Sequence, residues 1–343
     1  MKTEILPSDA EGIRRAAEAI RRGEVVGMPT ETVYGLAANA LNPEAVQKIF
    51  AAKGRPADNP LIVHIADMNG LNQIAREIPE AAEQLMQAYW PGPMTLVLPR
   101  KACVPDIVTA GLDTVGIRMP SSAPARALIA ASGCPIAAPS ANTSGKPSPT
   151  TAMHVYHDMN GKIPIIVDGG PCQVGLESTV IDVTGERPVI LRPGGITAGM
   201  IESVAHCVEI DKHVLSPLSE GETVKSPGMK YKHYAPEARI TIFEGEEERV
   251  HERICSAYDE AMRQGERAAI LAFDEHAFGN RRVFSLGSAV HQDQAASKLF
   301  GVLRELDEQK LTAVFSEAAS VEGIGLAVMN RLGRAAGFHI ERV

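Results

Sequence analysis

Residues 29–64 read PTETVYGLAANALNPEAVQKIFAAKGRPADNPLIVH, and their reading decides the fold. The apolar run just before them, 25–28, has the pattern of a buried strand. A turn around Gly35 comes next, and then a short helix. Asn42 stands where an N-cap belongs, Pro43 takes the first helical position, and Val46, Ile49 and Phe50 recur at helical spacing. Gly54 stops that helix, and a second apolar run, 61–65, carries His64 near its end. Strand, helix and strand in this succession point to an α/β sheet.

Lys53 and Arg55 flank the stop, beside Pro56 and the Asp58-Asn59-Pro60 turn. A loop bounded by glycine and stiffened by proline keeps both heads near one spot at small entropic cost. A bidentate guanidinium next to a point-charge ammonium makes a clamp for phosphate oxygens. The plainer reading is that both cations complement the negative C-terminal end of the helix. Two threonines and a glutamate, Thr30, Glu31 and Thr32, sit just upstream.

Composition narrows the classes. At 343 residues the chain is long enough for two domains, and 45% hydrophobic against 22% charged residues predicts a folded core, not disorder. A net charge of −8 and a pI near 5.7 exclude a protein that grips nucleic acid with its whole surface, so any such contact is a local patch. No apolar run follows the N-terminal basic residues, and none is long enough to span a bilayer. Cys103, Cys134, Cys172, Cys207 and Cys255 are scattered, with no C-x-x-C pair. That argues against a disulfide framework and against structural zinc, and favours the cytosol.

Residues 9–22 read as an amphipathic helix with Ile13, Ala16, Ala17 and Ile20 inward. Its arginines form a solvated face or a point of contact with RNA. Residues 78–89 read as another helix, ended by Trp90-Pro91-Gly92-Pro93, and 95–98 as a strand; Trp90 is expected to pack in the core. In 115–119, VGIRM, Arg118 interrupts a strand otherwise fit for burial. A buried guanidinium without a counter-charge is strongly destabilising. Arg118 therefore either pairs with an acidic side chain or faces a cavity that takes an anionic ligand.

Residues 134–142, CPIAAPSAN, run from a strand into a polar turn with Ser140 and Asn142, and 143–148 add hydroxyls and a Gly-Lys pair. Ser140 stands where a phosphate loop needs its first glycine, so this is not a Walker A motif. The segment lines a nucleotide site with hydroxyls and amides, or it is an ordinary turn. Strands follow at 163–167, 178–182 and 189–191. Glu177 introduces the second, and Arg192-Pro193-Gly194-Gly195 ends the third, where glycines let the backbone come close to a ligand. Short strands with Ser, Thr and Arg at their ends predict an open sheet with a cleft.

The texture changes near residue 210. Residues 211–225 are polar and turn-rich, a linker composition. Then SPGMKYKHYAP, 226–236, brings aromatic and basic residues that a passive spacer lacks; it folds over a bound nucleotide or docks against a domain surface. Beyond 239, strands at 240–243, 268–273, 283–286 and 312–315 accompany helices at 247–263, 289–308 and 324–336, a second and smaller α/β domain. Gly323-Ile324-Gly325 matches only part of a dinucleotide fingerprint, so close helix packing is its expected use.

Taken in order, PTETVYGL, the K-x-R at Lys53 and Arg55, the S-x-N at Ser140 and Asn142, ESTV, LRPG and SPGMKYKHYAP resemble one family over essentially the whole chain. It is the long, two-domain form of the threonylcarbamoyl-adenylate synthases, the Sua5 branch of the Sua5/YrdC/YwlC family. The resemblance implies a YrdC-like catalytic domain at 1–210, an open twisted α/β sheet with a central cleft. It also implies a linker at 211–238 that closes over the nucleotide site and a Rossmann-like α/β domain at 239–343. Members are nucleotidyltransferases that condense L-threonine, bicarbonate and ATP into threonylcarbamoyl-AMP and pyrophosphate. The product goes to tRNA-threonylcarbamoyl transferase proteins for the t6A modification of tRNA, in the cytoplasm.

By the same resemblance, Lys53 and Arg55 would be the catalytic pair that holds the triphosphate. Asn59, Ser140, Asn142, Ser148 and Arg192 would complete the ATP site. Thr32, His64, Arg118 and Ser178 would receive threonine, and Tyr231 and Tyr234 would close the linker over the nucleotide.

The chemistry suits such residues. Threonine's amine and bicarbonate give an N-carboxylate that must attack the α-phosphorus of ATP, so the protein mainly supplies fixed cations and donors. Mg²⁺ would arrive on the phosphates, held by substrate oxygens and water, so no cluster of protein metal ligands is expected. No nucleophile–base pair is evident, and no covalent enzyme intermediate is expected. Two other classes compete. Hydrogenase-maturation carbamoyltransferases contain a related sheet but carry zinc-binding cysteine clusters that this chain lacks. An RNA-binding module would grip tRNA with the N-terminal domain, but the acidic balance makes any direct tRNA contact weak.

Overall fold

The helix after the opening motif forms as its local chemistry dictates. Asn42 Oδ1 accepts the N–H groups of Glu44 and Ala45, Pro43 opens the first turn, and Gly54 ends Pro43–Lys53 in left-handed backbone at φ 66°. Ala45, Val46, Ile49 and Phe50 are buried along its inner side, and Lys53 is buried on its last turn. The computed structural model describes residues 2–216 and 234–343. They form two compact units, one of 2–144 and 148–214, the other of 145–147, 215–216 and 234–343.

The first unit holds one sheet of eleven strands. These are β1 (Glu4–Pro7), β2 (Val26–Met28), β3 (Gly35–Asn39), β4 (Ile62–His64), β5 (Met94–Pro99), β6 (Thr114–Arg118), β7 (Ile136–Ala137), β8 (Ile165–Asp168), β9 (Thr179–Asp182), β10 (Val189–Arg192) and β11 (Glu209–Ile210). They lie in the order β1-β8-β2-β3-β7-β4-β6-β5-β9-β10-β11. The turn expected around Gly35 is instead the start of β3, where Met28 faces Gly35 across an antiparallel pair. The run GLAAN lacks the branched and aromatic residues that mark a strand, and neighbours on both sides hold it in the sheet. Helices at Ala123–Ser132, Ala152–Met159 and Ala198–Ala205 also lie outside the sequence reading. They are short, and packing rather than a strong polar face holds them.

Register is what positions function. β4 and β6 run parallel with His64 opposite Arg118, and β5 returns with Thr95 opposite Arg118. β9 then places Val180 beside Thr95, and β10 places Arg192 beside Val180. Cross-strand partners share a face of the sheet. His64, Arg118, Thr95 and Arg192 thus form one row, and Ser178, two residues before Val180, belongs to the same face. The alternate residues Val63, Ile117, Leu96 and Ile181 point the other way, into the main hydrophobic core. A one-residue slip in any of these strands would exchange the two sets.

The second unit carries five parallel strands, β12 (Arg239–Glu244), β13 (Ala268–Ala272), β14 (Val283–Ser285), β15 (Ala313–Glu317) and β16 (Ile340–Arg342), in the order β14-β13-β15-β12-β16. Helices Glu247–Arg263, Gln292–Glu308 and Gly325–Ala335 make three of the four crossovers between them, and β13 passes to β14 without a helix. The Gly323-Ile324-Gly325 run serves a turn and not helix packing. A side chain at Gly325 would meet Ser320 O at 2.5 Å. Among the described residues no helix is long and apolar enough to cross a membrane.

Candidate active site

Arg118 is 3% exposed and has its counter-charge. Nη2 lies 2.6 Å from Glu31 Oε1, Nη1 donates to Thr32 Oγ1 at 2.7 Å, and Nε donates to Gly92 O at 3.3 Å. The contact with Glu31 is a buried ion pair, and with Gly92 and Thr32 it accounts for three of the five guanidinium N–H groups among the described residues. Both sequence alternatives therefore meet in one side chain, paired yet with donors to spare for an anion. Thr30 Oγ1 sits 2.9 Å from Thr32 Oγ1 and donates to Val33 O at 2.6 Å, which locks the loop. Glu31 accepts the N–H groups of Ser121 and Ser122 at 3.1 and 3.3 Å. Burial alone would raise its carboxyl pKa; the Arg118 charge and these bonds outweigh that, and the net shift is downward.

His64 stands beside Arg118 in the row, buried, and its Nδ1 has no hydrogen-bond partner among the described residues. Burial and the Arg118 charge push the imidazole down to about 3, so it is neutral at physiological pH. In the unfolded chain it titrates near 6.5. Its folded pKa is the lower one, so its contribution to stability is complete above pH 6.5 and is lost as pH falls from there toward 3. Glu31 adds a loss of the same sign below 4.5. The melting temperature is therefore expected to fall between about pH 7 and pH 5, and to fall less steeply in His64→Gln. Equal slopes in the two proteins would refute a buried neutral His64.

At the other end of the row, Thr95 Oγ1 and Ser178 Oγ are 2.7 Å apart. Arg192 donates from Nε and Nη2 to Ser178 O at 3.1 and 3.0 Å, and from Nη2 to Ser178 Oγ at 3.2 Å. One residue away, Glu177 Oε1 accepts from Ser148 Oγ at 2.5 Å. Gly194 permits this fit. A side chain there would lie 2.4 Å from Thr179 N and 2.7 Å from Glu177 O. What approaches at this glycine is the ESTV backbone, where a ligand was the expected neighbour.

Lys53 is buried, and its ammonium donates to the carbonyls of Ser140 and Asn142, the latter at 2.8 Å. Ser144 N returns a bond to Lys53 O at 3.0 Å. The cation is thus held by a different segment, not by the carbonyls of its own helix end. Ser140 bridges Gly35, and Ala141 N donates to Tyr34 O at 2.8 Å, which ties this turn to the opening motif. Arg55 Nη2 donates to Asn59 O at 3.2 Å, and its guanidinium lies 5.5 Å over the Phe50 ring. Asn59 is fully buried, and neither atom of its amide head has a partner among the described residues.

The row and the opening motif thus bring Thr32, His64, Arg118, Ser178 and Arg192 together, with Ser148 attached through Glu177. Lys53, Ser140 and Asn142 form a second group, and Arg55 with Asn59 a third. Tyr234 belongs to the second unit, buried in left-handed backbone with its ring 5.0 Å from that of Phe300. Tyr231 lies outside the described residues. Glu31, Thr95 and Glu177 were assigned no role from the sequence. Among the described residues no group of three or more His, Cys, Asp or Glu could hold a metal ion. Hydroxyls, amides, carbonyls and fixed cations are what the site offers.

Known proteins resemble the chain over nearly its whole length. Residues 18–194 match the family model for the Sua5, YciO and YrdC proteins, described as "Telomere recombination". Residues 196–337 match the threonylcarbamoyl-AMP synthase C-terminal domain. The threonylcarbamoyl-AMP synthase of Pyrococcus abyssi is 48% identical over 96% of each chain. That of Bacillus subtilis is 48% identical over 99% of this chain and 97% of its own. The crystal structure of P. abyssi Sua5 complexed with L-threonine superposes with a TM-score of 0.94 at 46% identity, over 100% of both chains.

Proposed function

The chain belongs to the Sua5/YrdC/YwlC family of threonylcarbamoyl-AMP synthases, and from that premise we propose that it condenses L-threonine, bicarbonate and ATP into threonylcarbamoyl-AMP and pyrophosphate. The observation that carries the reading is the row of His64 and Arg118 beside Thr32, where His64 Nδ1 has no hydrogen-bond partner among the described residues and the buried guanidinium has more N–H groups than the contacts there use. Arg118 Nη2 takes the threonine carboxylate, Thr32 and Ser178 flank it, and the uncharged imidazole of His64 faces the rest of the amino acid. Lys53, Arg55, Asn59, Ser140, Asn142, Ser148 and Arg192 receive MgATP, with the metal carried on the phosphates as part of the substrate.

In the reaction the threonine amine joins bicarbonate carbon with loss of water. A carboxylate oxygen of that product then bonds to the α-phosphorus, and the bond to the pyrophosphate oxygen breaks. Two anions must meet for this, and fixed cations in a water-poor site offset their repulsion. An imidazole held near 3 and a carboxyl held low are weak bases, so neither His64 nor Glu31 removes the amine proton. That proton leaves to a substrate oxygen or to solvent. We place the reaction in the cytoplasm, where the five free thiols stay reduced, with the product passed to tRNA-threonylcarbamoyl transferase proteins. A chain of net charge −8 holds tRNA weakly if it touches it at all.

Pyrophosphate release tests the reading. It is expected only when threonine, bicarbonate and ATP are all present. Release that needs neither threonine nor bicarbonate, or no release with all three, would overturn it.

A further inference from the structure

We propose that Glu31 is a positioning residue for the amino-acid substrate, acting through Arg118; the inference rests on the synthase reading above. Its carboxylate is held from two sides. Ser121 N and Ser122 N donate to it at 3.1 and 3.3 Å, just ahead of helix Ala123–Ser132, which Ser122 itself caps. Peptide N–H groups at a helix start favour an anion. On the far side stands Arg118 Nη2, at 2.6 Å. The backbone of Glu31 is fixed as well, since its carbonyl accepts Val174 N at 2.8 Å.

A carboxylate pinned this way pins the guanidinium beside it. Arg118 directs Nε to Gly92 O, Nη1 to Thr32 and Nη2 to Glu31. Glu31 therefore supplies the counter-charge at one head nitrogen, and the guanidinium still has N–H groups to offer an anion. Stability alone explains such a pair poorly, because joint replacement of a buried pair by apolar side chains is often neutral. Its use is geometric: it sets the angle at which Arg118 meets a carboxylate and keeps the guanidinium buried in one orientation.

Calorimetric titration of the full chain with L-threonine, and separately with ATP, tests this in the wild type, E31Q, E31D, R118Q and E31Q/R118Q. We expect E31Q to weaken threonine binding at least about tenfold while ATP affinity changes less than about threefold. The double variant should bind threonine no more weakly than R118Q, because the two residues act as one unit. E31D, with its charge on a shorter arm, should recover part of the loss, and it carries the test if E31Q does not fold. Wild-type threonine affinity in the Glu31 variants, or equal losses for threonine and ATP, would overturn the Glu31 assignment and leave the synthase reading standing. A wild-type chain that binds no threonine would overturn both.

Discussion

Arg118→Met is expected to reduce threonine-dependent pyrophosphate release by about a thousandfold or more, since it removes a fixed cation where charge must be held. The loss should fall on kcat/KM for threonine, with ATP affinity nearly unchanged, because the residues proposed for the nucleotide lie on other segments. The same change leaves Glu31 buried with backbone N–H groups, among them those of Ser121 and Ser122, but without its counter-charge. Breaking a buried pair from one side costs about 3–5 kcal/mol. Arg118→Met should therefore also unfold earlier in denaturant. Joining it to Glu31→Met removes both charges and should restore most of the stability while restoring none of the activity. That dissociation is the decisive result. If the double variant regained turnover, Arg118 would be a structural ion-pair partner and nothing more. If Arg118→Met kept near-normal kcat/KM, threonine would have to be held elsewhere.

What the sequence could reveal here follows from the range of the forces involved. Asn42, Pro43 and Gly54 act on neighbours within a turn, so the helix they bound was legible from the residues alone. Arg118 was legible as an anomaly, a charge on a strand fit for burial, but not its partner. Glu31 reaches it only through the register of β4, β5 and β6 and the path of the loop after β2. The same holds for Thr95, an unremarked threonine in MTLVLP until register sets it between Arg118 and Ser178. β3 escaped notice because alanine and glycine make no alternating pattern, so only its neighbours define it as a strand. The family's motifs gave the candidate list. The fold shows which of those residues share a face, and adds the carboxylates behind them.

Lys53→Met is the second change with a large expected effect. In the structure the ammonium donates to two carbonyls of one turn, Ser140 O and Asn142 O. The turn that carries Ser140 and Asn142 is itself bonded to Tyr34 and Gly35 of the opening motif. A cation fixed this way, beside hydroxyls and amides, is suited to phosphate oxygens that gain charge as pyrophosphate leaves. Removing it should lower adenylate formation by about a thousandfold. Threonine affinity should stay within about threefold of the wild type, because Arg118 and its partners are untouched. Stability should fall by about 1–3 kcal/mol, as two carbonyls lose a charged donor. Lys53→Arg sharpens the test. A planar guanidinium cannot reproduce a point charge held between two carbonyls, so it should rescue stability better than turnover. Near-normal pyrophosphate release in Lys53→Met would show that the cation only fastens the turn, and the phosphate clamp would have to be sought at Arg55 and Arg192.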